Sequence, residues 1–366
     1  MSVKIDYKSI PRSYRDYLDL MVSEGEYLAI DDEVDWDLEM GAICRLADET
    51  LSPSPIFNKV KDSPGFRAAE WGFTKSGTRG RPWARVAPNV GAPLDATLME
   101  IQQAYIHSLE NNPVHPPKIV DAKDAPCKEN RWVGDEIDLF KLPVPLQHAH
   151  DAERMLQSAG VNICRTPDGR WTNWSINRSA VHDRNTMKGY WIPSSQHNGM
   201  IWKQWMEKGE DMPFAIAFGV PPVCAWQSAS RVPDYVDEYD VASQMLNAPI
   251  EMVKCETNDL MVPATSEIVV EGYVSVTETL MEGPYGEHAG YHFEHKVLPK
   301  PKQVVTCVTF RNNAILPTAV PAVTPNSTVI GIAVCNSSDV VISLKKAGFP
   351  VIDGHATIES SGSWFV

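Results

Sequence analysis

The stretch Glu278-Thr-Leu-Met-Glu282-Gly-Pro-Tyr-Gly-Glu287-His288-Ala-Gly-Tyr291-His292 places three acids and two histidines within fifteen residues. Gly283, Gly286 and Gly290, together with Pro284, rule out a regular helix, so the chain can curl and bring Glu282 and Glu287 towards one point. Two carboxylates held together titrate apart, which suits proton transfer near neutral pH. A solvated acidic turn has the same spacing, and the spacing alone does not separate the two. A second run, Trp171-Thr-Asn173-Trp174-Ser-Ile176-Asn177-Arg178, leads to His182-Asp183. Two tryptophans beside amides and an arginine could frame a flat anionic ligand by stacking and charge-assisted hydrogen bonds. They equally describe a core strand with its tryptophans inward. Asn173 and Arg178 are five apart, so an ideal strand points them to opposite faces, and a shared site needs a bulge or strand end between them. Further on, Gln196-His197 follows the break Pro193-Ser194-Ser195, and Glu238 follows Pro233-Asp234. An amide, an imidazole and a carboxylate suit Mn²⁺ or Mg²⁺ better than zinc, though spacing does not bring them together.

The elements that must position these residues fall into two kinds. Towards the N-terminus, helix and strand signals alternate. Ser13 caps a helix through Tyr14, Tyr17 and Leu20 that stops at Gly25, Tyr27 to Ile30 reads as a strand, and Leu38 to Leu46 reads as a helix. Asp95 opens another helix with Leu98, Ile101, Tyr105 and Leu109 along one face. The segment from Asn111 through Pro117 to Glu136 reads as a connector. Beyond Pro143 short strands and turns take over. Leu156 to Cys164, the turn Thr166-Pro167-Asp168-Gly169 and Trp171 to Ile176 form a hairpin candidate. Pro221-Pro222 and Pro233-Asp234 read as breaks, Ile268 to Val276 and Val304 to Phe310 as strands, and Ile201 to Glu207 as a helix. Helix propensity returns from Ser337 to Ala347, and Trp364-Phe365-Val366 reads as strand. Asn326-Ser-Thr reads as turn or cap material.

Composition narrows the function. The 366 residues carry 33 Lys+Arg against 47 Asp+Glu, a formal charge of −14, with 43% apolar and 22% charged residues. That balance describes a globular protein. Without a basic cluster, nucleic acid and anionic membranes are poor partners. No apolar run reads as a spanning helix, and the N-terminus lacks the apolar stretch of a secretory signal. The expected location is cytoplasmic, and the seven scattered cysteines read as buried free thiols rather than disulfides or a zinc site.

With these residues in view, the chain resembles the UbiD family of decarboxylases, most of all its fungal ferulic/cinnamic acid decarboxylases. PCKEN, LPVPL, TPDGRWTNWSINR, AFGVPP, VKCETNDLMVPATSEIVVEG, EGPYGEHAGY and FRNNAILP carry the resemblance, in order, to about Thr318. It implies an α/β plus β architecture: an N-terminal α/β domain (1–125), a central split β-barrel with the cofactor and metal site (126–315), and the start of a C-terminal α/β domain (316–366). It also implies non-oxidative decarboxylation of an α,β-unsaturated or aromatic acid using prenylated FMN supplied by a prenyl-flavin synthase, in a homodimer. By resemblance, Glu282, Glu287 and Arg178 match the catalytic set. Asn173, His197 and Glu238 match ligands of a Mn²⁺ that holds the cofactor phosphate, Ile176, Asn177 and Gln196 match positions lining the cofactor, and Trp174 and Ser228 match a K⁺ site. Ile192 and His288 fall at the substrate pocket.

Three features depart from the family pattern. His288-Ala289 stands where the fungal enzymes have Met-His, placing a polar group at the pocket. Arg231 replaces a proline in the cofactor loop, and one residue is inserted between Arg178 and His197. The chain also stops at Val366, before the lysine that contacts the cofactor phosphate and the segment that closes the pocket and builds the dimer. On this reading it is expected to hold flavin weakly and to associate through Trp364, Phe365 and Val366. The alternative function is that of a catalytically impaired relative serving as a folding or assembly partner.

Overall fold

The computed structural model describes residues 4–189, 191, 195–287, 289–293, 297–362 and 364–366. In chain order the helices and strands are α1 (Tyr14–Ser23), β1 (Tyr27–Val34), α2 (Glu39–Thr50), β2 (Ser54–Val60), β3 (Phe66–Glu70), α3 (Leu98–Asn111), β4 (Lys118–Ile119) and β5 (Asn130–Val133). They continue with β6 (Met155–Gln157), β7 (Val161–Arg165), β8 (Thr172–Ser175), β9 (Ser179–Val181), β10 (Thr186–Gly189), α4 (His197–Lys208), β11 (Met212–Phe218), α5 (Pro222–Ser228) and α6 (Glu238–Leu246). The last are β12 (Glu251–Lys254), β13 (Met261–Pro263), β14 (Ile268–Glu282), β15 (Leu298–Phe310), β16 (Ala314–Thr318) and α7 (Ser327–Lys346).

Local chemistry sets several boundaries. Ser13 caps α1 by accepting the Asp16 N–H, as expected. The third helix starts after Thr97 rather than Asp95, because Thr97 and Glu100 form a reciprocal capping box. The expected strand from Leu156 to Cys164 is two strands, since the Gln157 side chain binds both backbone groups of Gly160 and turns the chain there. Pro221-Pro222 opens α5 instead of merely breaking the chain, because proline is tolerated in the first helical turn. Helix α7 begins ten residues before the expected start, where the Asn326 side chain accepts the Val329 N–H. By length and composition α7 could cross a membrane, unlike any run noted in the sequence, yet 56% of its most apolar stretch is buried and Asn336 to Asp339 interrupt it. The residues read as a terminal strand make a single bridge, Ala356 to Phe365.

A four-stranded sheet runs β1-β2-β3-β16, with β1 parallel to β2 and β16 parallel to β3. Period-two alternation covers both of its faces: Ile56 and Ala69 pack with α1, while Phe57 and Ala68 pack with α2. The second sheet has nine antiparallel strands in the order β6-β9-β10-β15-β14-β11-β7-β8, with β5 added beside β15. In β11, Phe214, Ile216 and Phe218 enter the core containing Trp171 and Ile201, whereas Ala215 and Ala217 face the core shared with α3, α5, α6 and α7. A small sheet, β13-β12-β4, pairs with neither but shares a core with β11. The architecture is mixed α/β with an antiparallel sheet curled as a half-barrel. All seven cysteines are buried free thiols.

Candidate active site

Strand β14 delivers the first carboxylate. Its register against β15 shifts at Glu271/Gly272 and again between Val274 and Thr279. Gly272 is required there, because a Cβ would lie 1.9 Å from the Val304 carbonyl oxygen. Glu282 is the last residue of β14, so the loop anticipated from Glu278 begins only at Gly283, whose φ of 98° ends the strand. Glu287 stands on that loop, which folds on itself through Glu287 N–H to Tyr291 O and Gly290 N–H to Glu287 O. Arg178 comes from the opposite side. Strand β8 ends at Ser175, and this end between Asn173 and Arg178 supplies the turn that an ideal strand lacks.

The Arg178 guanidinium grips Glu282 with two parallel bonds, Nε to Oε1 and Nη2 to Oε2, both 3.1 Å. Its Nη1 donates to Glu287 Oε2 at 2.9 Å. Such fork-to-carboxylate pairing fixes both direction and charge. Glu282 is buried, while Arg178 and Glu287 keep about a fifth of their side chains exposed (20% and 23%). Burial alone would ease the proton off Arg178, but the hydrogen bonds and charges of the two glutamates outweigh it and raise its pKa. The Tyr285 ring lies against the guanidinium, 5.5 Å from its centroid to Cζ. The Tyr285 hydroxyl donates to Glu153, and Glu153 also meets Lys188, whose ammonium donates to the Met281 carbonyl. Burial, then the neighbouring Glu153, push the Tyr285 pKa upward. Sequence reasoning missed this supporting layer. Only the tyrosine's place between Glu282 and Glu287 hinted at it.

Arg178 and Glu287 border a cleft of about 540 Å³, whose wall also includes Gln157, Ile176, Asn177, Gln196, Ser228 and Tyr291. Ile176, Asn177, Gln196 and Ser228 also border a narrower polar pocket of about 270 Å³, which contains Asn173, Trp174, His197, Arg231 and Glu238. The expected cofactor and metal residues thus surround adjoining cavities, although they come from β8, α4, α5 and α6. His197 Nδ1 lies 3.9 Å from Glu238 Oε1, and its Nε2 lies 3.0 Å from Asp234 Oδ1. The neighbouring Glu238 carboxylate, and then that of Asp234, raise the His197 pKa despite partial burial, and burial raises that of Glu238. The other Glu238 oxygen accepts the Trp174 N–H at 2.6 Å. Asn173 donates through Nδ2 to Ser175 Oγ. Asn198 Nδ2, buried in the same pocket, has no partner among the described residues. The Ser228 carbonyl accepts the Ile176 N–H. Among the described residues, no group of three or more His, Cys, Asp or Glu is placed to hold a metal.

The tryptophans are core residues. Trp171 packs edge-on against His197, and Trp174 packs edge-on against Tyr239 in the opposite core. His182 and Asp183 do not join the cluster: His182 faces Glu153, and Asp183 closes a turn with Asn185 and Thr186. Ile192 and His288 lie outside the described residues.

A basic fork between two carboxylates thus stands at the wall of a cleft that continues into a polar pocket. Residues 118–324 match the 3-octaprenyl-4-hydroxybenzoate carboxy-lyase Rift-related domain, and residues 18–103 match the N-terminal domain of the same carboxy-lyases. The chain belongs to the UbiD family and is a carboxy-lyase, a decarboxylase. It is 35% identical to ferulic acid decarboxylase 1 of Saccharomyces cerevisiae over 366 residues, covering 96% of this chain and 71% of that protein. It is 34% identical to pyrrole-2-carboxylic acid decarboxylase of Pseudomonas aeruginosa, covering 96% and 70%. Among solved structures, the UbiD-class enzyme HmfF of Pelotomaculum thermopropionicum, in an evolved dimeric form in complex with prFMN, superposes with a TM-score of 0.82 at 29% identity, covering 96% and 77%.

Proposed function

We propose that the chain decarboxylates an α,β-unsaturated or aromatic carboxylic acid, of the ferulate or pyrrole-carboxylate kind its relatives are named for, with prenylated FMN in the cleft. The observation that carries this reading is Arg178 held between Glu282 and Glu287 at the wall of the 540 Å³ cleft, which shares Ile176, Asn177, Gln196 and Ser228 with the polar pocket. Loss of CO₂ from an sp² carbon leaves an electron pair that no side chain can absorb, and the prenylated flavin supplies that sink when bound.

The protein's own residues bind the substrate, orient it and move a proton. Arg178 takes the substrate carboxylate through the Nη1 face that now holds Glu287, keeping its bidentate grip on Glu282. The substrate brings a further anion to one guanidinium, and charge balance then favours a proton on Glu287, the more exposed of the two glutamates. Once CO₂ has left, Glu287 delivers that proton to the carbon and recovers one from solvent, so acid and water balance over the cycle. Glu282, buried behind the fork, holds Arg178 in place.

Asn173, His197 and Glu238 are a hard oxygen and nitrogen donor set that fits Mn²⁺ or Mg²⁺ at the phosphate end of the flavin. The unpartnered Asn198 Nδ2 in the same pocket fits a phosphate oxygen. Carbonyls of Trp174 and Ser228 beside Glu238 fit K⁺. Ile176, Asn177 and Gln196, bordering both cavities, line the ring system. A dimer, a split-barrel centre and the 1–125, 126–315 and 316–366 division complete the proposal.

Co-expression with a prenyl-flavin synthase tests it. Purified protein with bound-flavin absorbance that releases CO₂ from cinnamate, ferulate or pyrrole-2-carboxylate supports the reading. Turnover that is indifferent to flavin contradicts it.

A further inference from the structure

We propose that His148, as an imidazolium paired with Asp151, is a positioning residue that sets where Glu287 stands in the cleft. The proposal rests on the reading of Glu287 as proton donor. Asp151 Oδ1 accepts the Gly286 N–H at 2.8 Å, one residue before Glu287. Asp151 Oδ2 accepts the His148 backbone N–H at 3.1 Å and faces His148 Nδ1 at 2.8 Å. On the other side of the ring, His148 Nε2 lies 2.6 Å from the Pro321 carbonyl oxygen.

Both ring partners are acceptors. A neutral imidazole has one N–H and would point a lone pair at either a carboxylate or a carbonyl, so this geometry calls for protons on both nitrogens. Gly286 packs closely against the ring: a Cβ there would come within 2.7 Å of His148 Nδ1 and Cε1. Ala152 N–H, donating to Pro284 O at 2.9 Å, ties the same two loops a second time. Asp151, Pro321 and Glu287 all border the 540 Å³ cleft, and His148 and Glu287 border a neighbouring surface cavity of about 570 Å³. The His148–Asp151 pair is therefore part of the partition on which Glu287 is mounted.

Among the described residues, the charged and titratable groups around the ring are Asp151 on its own loop, Arg45 and its ion-pair partner Glu49 on α2, and Glu287 and His292 on the facing loop, with His150 stacked obliquely on His292. Burial works against the His148 charge, the Asp151 hydrogen bond and charge and the Pro321 carbonyl favour it, and Arg45 opposes it; the net effect raises the pKa. The clasp is complete below that raised pKa. As pH rises through it, one ring N–H is lost, and with it the hold on either Asp151 or Pro321. Misplacement of a reacting group by about 1 Å can cost 10²-fold in rate.

The test uses flavin-loaded enzyme with ¹⁵N-labelled histidine. Both His148 ring nitrogens should be protonated at pH 7, and their titration should track the alkaline fall in kcat; a neutral single tautomer at pH 7 overturns the proposal. His148→Gln should lower kcat by about tenfold or more with KM within about twofold and flavin content unchanged, and should lose that alkaline limb. A variant that fails to fold leaves the tautomer spectrum of the parent to decide. Parent-like kcat and pH profile in His148→Gln, beside an inactive Glu287→Gln, overturn the positioning role alone. An active Glu287→Gln overturns the proton-donor reading beneath it.

Discussion

Two arginines in this protein, one buried and one at a cleft wall, make similar bonds to different ends. In the N-terminal layer, Arg85 donates to Glu26 Oε2, Ser54 Oγ, Thr74 Oγ1 and the Ser52 carbonyl, and both partners of the ion pair are 2% exposed. Arg178 likewise spends its fork on carboxylates, but it borders a cleft of about 540 Å³, and one of its carboxylates stands on a loop rather than in a core. Charge pairing alone does not mark an active site. Arg85 is sealed among groups that cannot leave, so its pairing fixes the fold. Arg178 has one partner held at the end of a strand and one on a loop facing a cavity, so a substrate carboxylate can enter the network without unfolding anything.

That contrast can be broken by substitution. Arg85→Met leaves Glu26 buried without its cation, and removing one partner of a buried pair costs about 3–5 kcal/mol. Denaturant unfolding should show that loss, with activity falling only as folded protein falls. Arg178→Leu should do the reverse: kcat/KM should drop by about 10²–10³-fold, the scale of losing one preorganised donor, while the unfolding midpoint moves less than in Arg85→Met. Equal destabilisation by both would erase the distinction. His197→Ala tests the polar pocket next to the cluster. Losing one of three donors should weaken bound Mn²⁺ by at least about 10-fold and lower flavin occupancy with it, read by metal analysis and flavin absorbance. Full occupancy would remove His197 from the site.

The smallest expected effect concerns a half-buried acid, Asp339 on α7, whose Oδ1 lies 3.5 Å from the Tyr105 hydroxyl and whose Oδ2 has no partner among the described residues. Burial pushes its pKa up to about 7. An acid whose folded pKa is raised keeps its proton in the native state while the unfolded chain has lost it, so stability falls as pH climbs from about 4 towards 7 and stays lowered above. Asp339→Asn removes that cost. Its melting temperature should rise by about 2–4 °C at pH 8 and by less at pH 5. An equal gain at both pH values would show that Asp339 is not the group responsible.

Much of the site was legible because its chemistry sits in contiguous strings. Glycines at 283, 286 and 290 announced the turn that carries Glu287, and the five-residue offset from Asn173 to Arg178 required the strand end found at Ser175. The family resemblance then named the residues, and the fold gathers Asn173, His197 and Glu238 from three separate elements round one pocket. Local signals set the hairpin of β7 and β8 and the cap of α1. What escaped was set by tertiary contacts. Helix α5 hides behind its prolines, Gln157 breaks a strand through a side-chain bond, and the ties from Asp151 to Gly286 and from Tyr285 to Glu153 each cross more than 130 residues. No periodicity reports such pairs. The joining of β16 to β3 likewise brings the end of one region into the sheet of another.

The central claim, that the Arg178-centred cluster is a decarboxylation centre with Glu287 as its acid, is tested most directly by Glu287→Gln loaded with prenylated flavin and assayed for CO₂ release beside the parent. The amide keeps the shape and the bond to Arg178 but cannot give the proton, so flavin content should match the parent while turnover falls by about 10²–10⁴-fold, the usual worth of a general acid. Turnover that stays within about tenfold of the parent at equal flavin content would contradict the account.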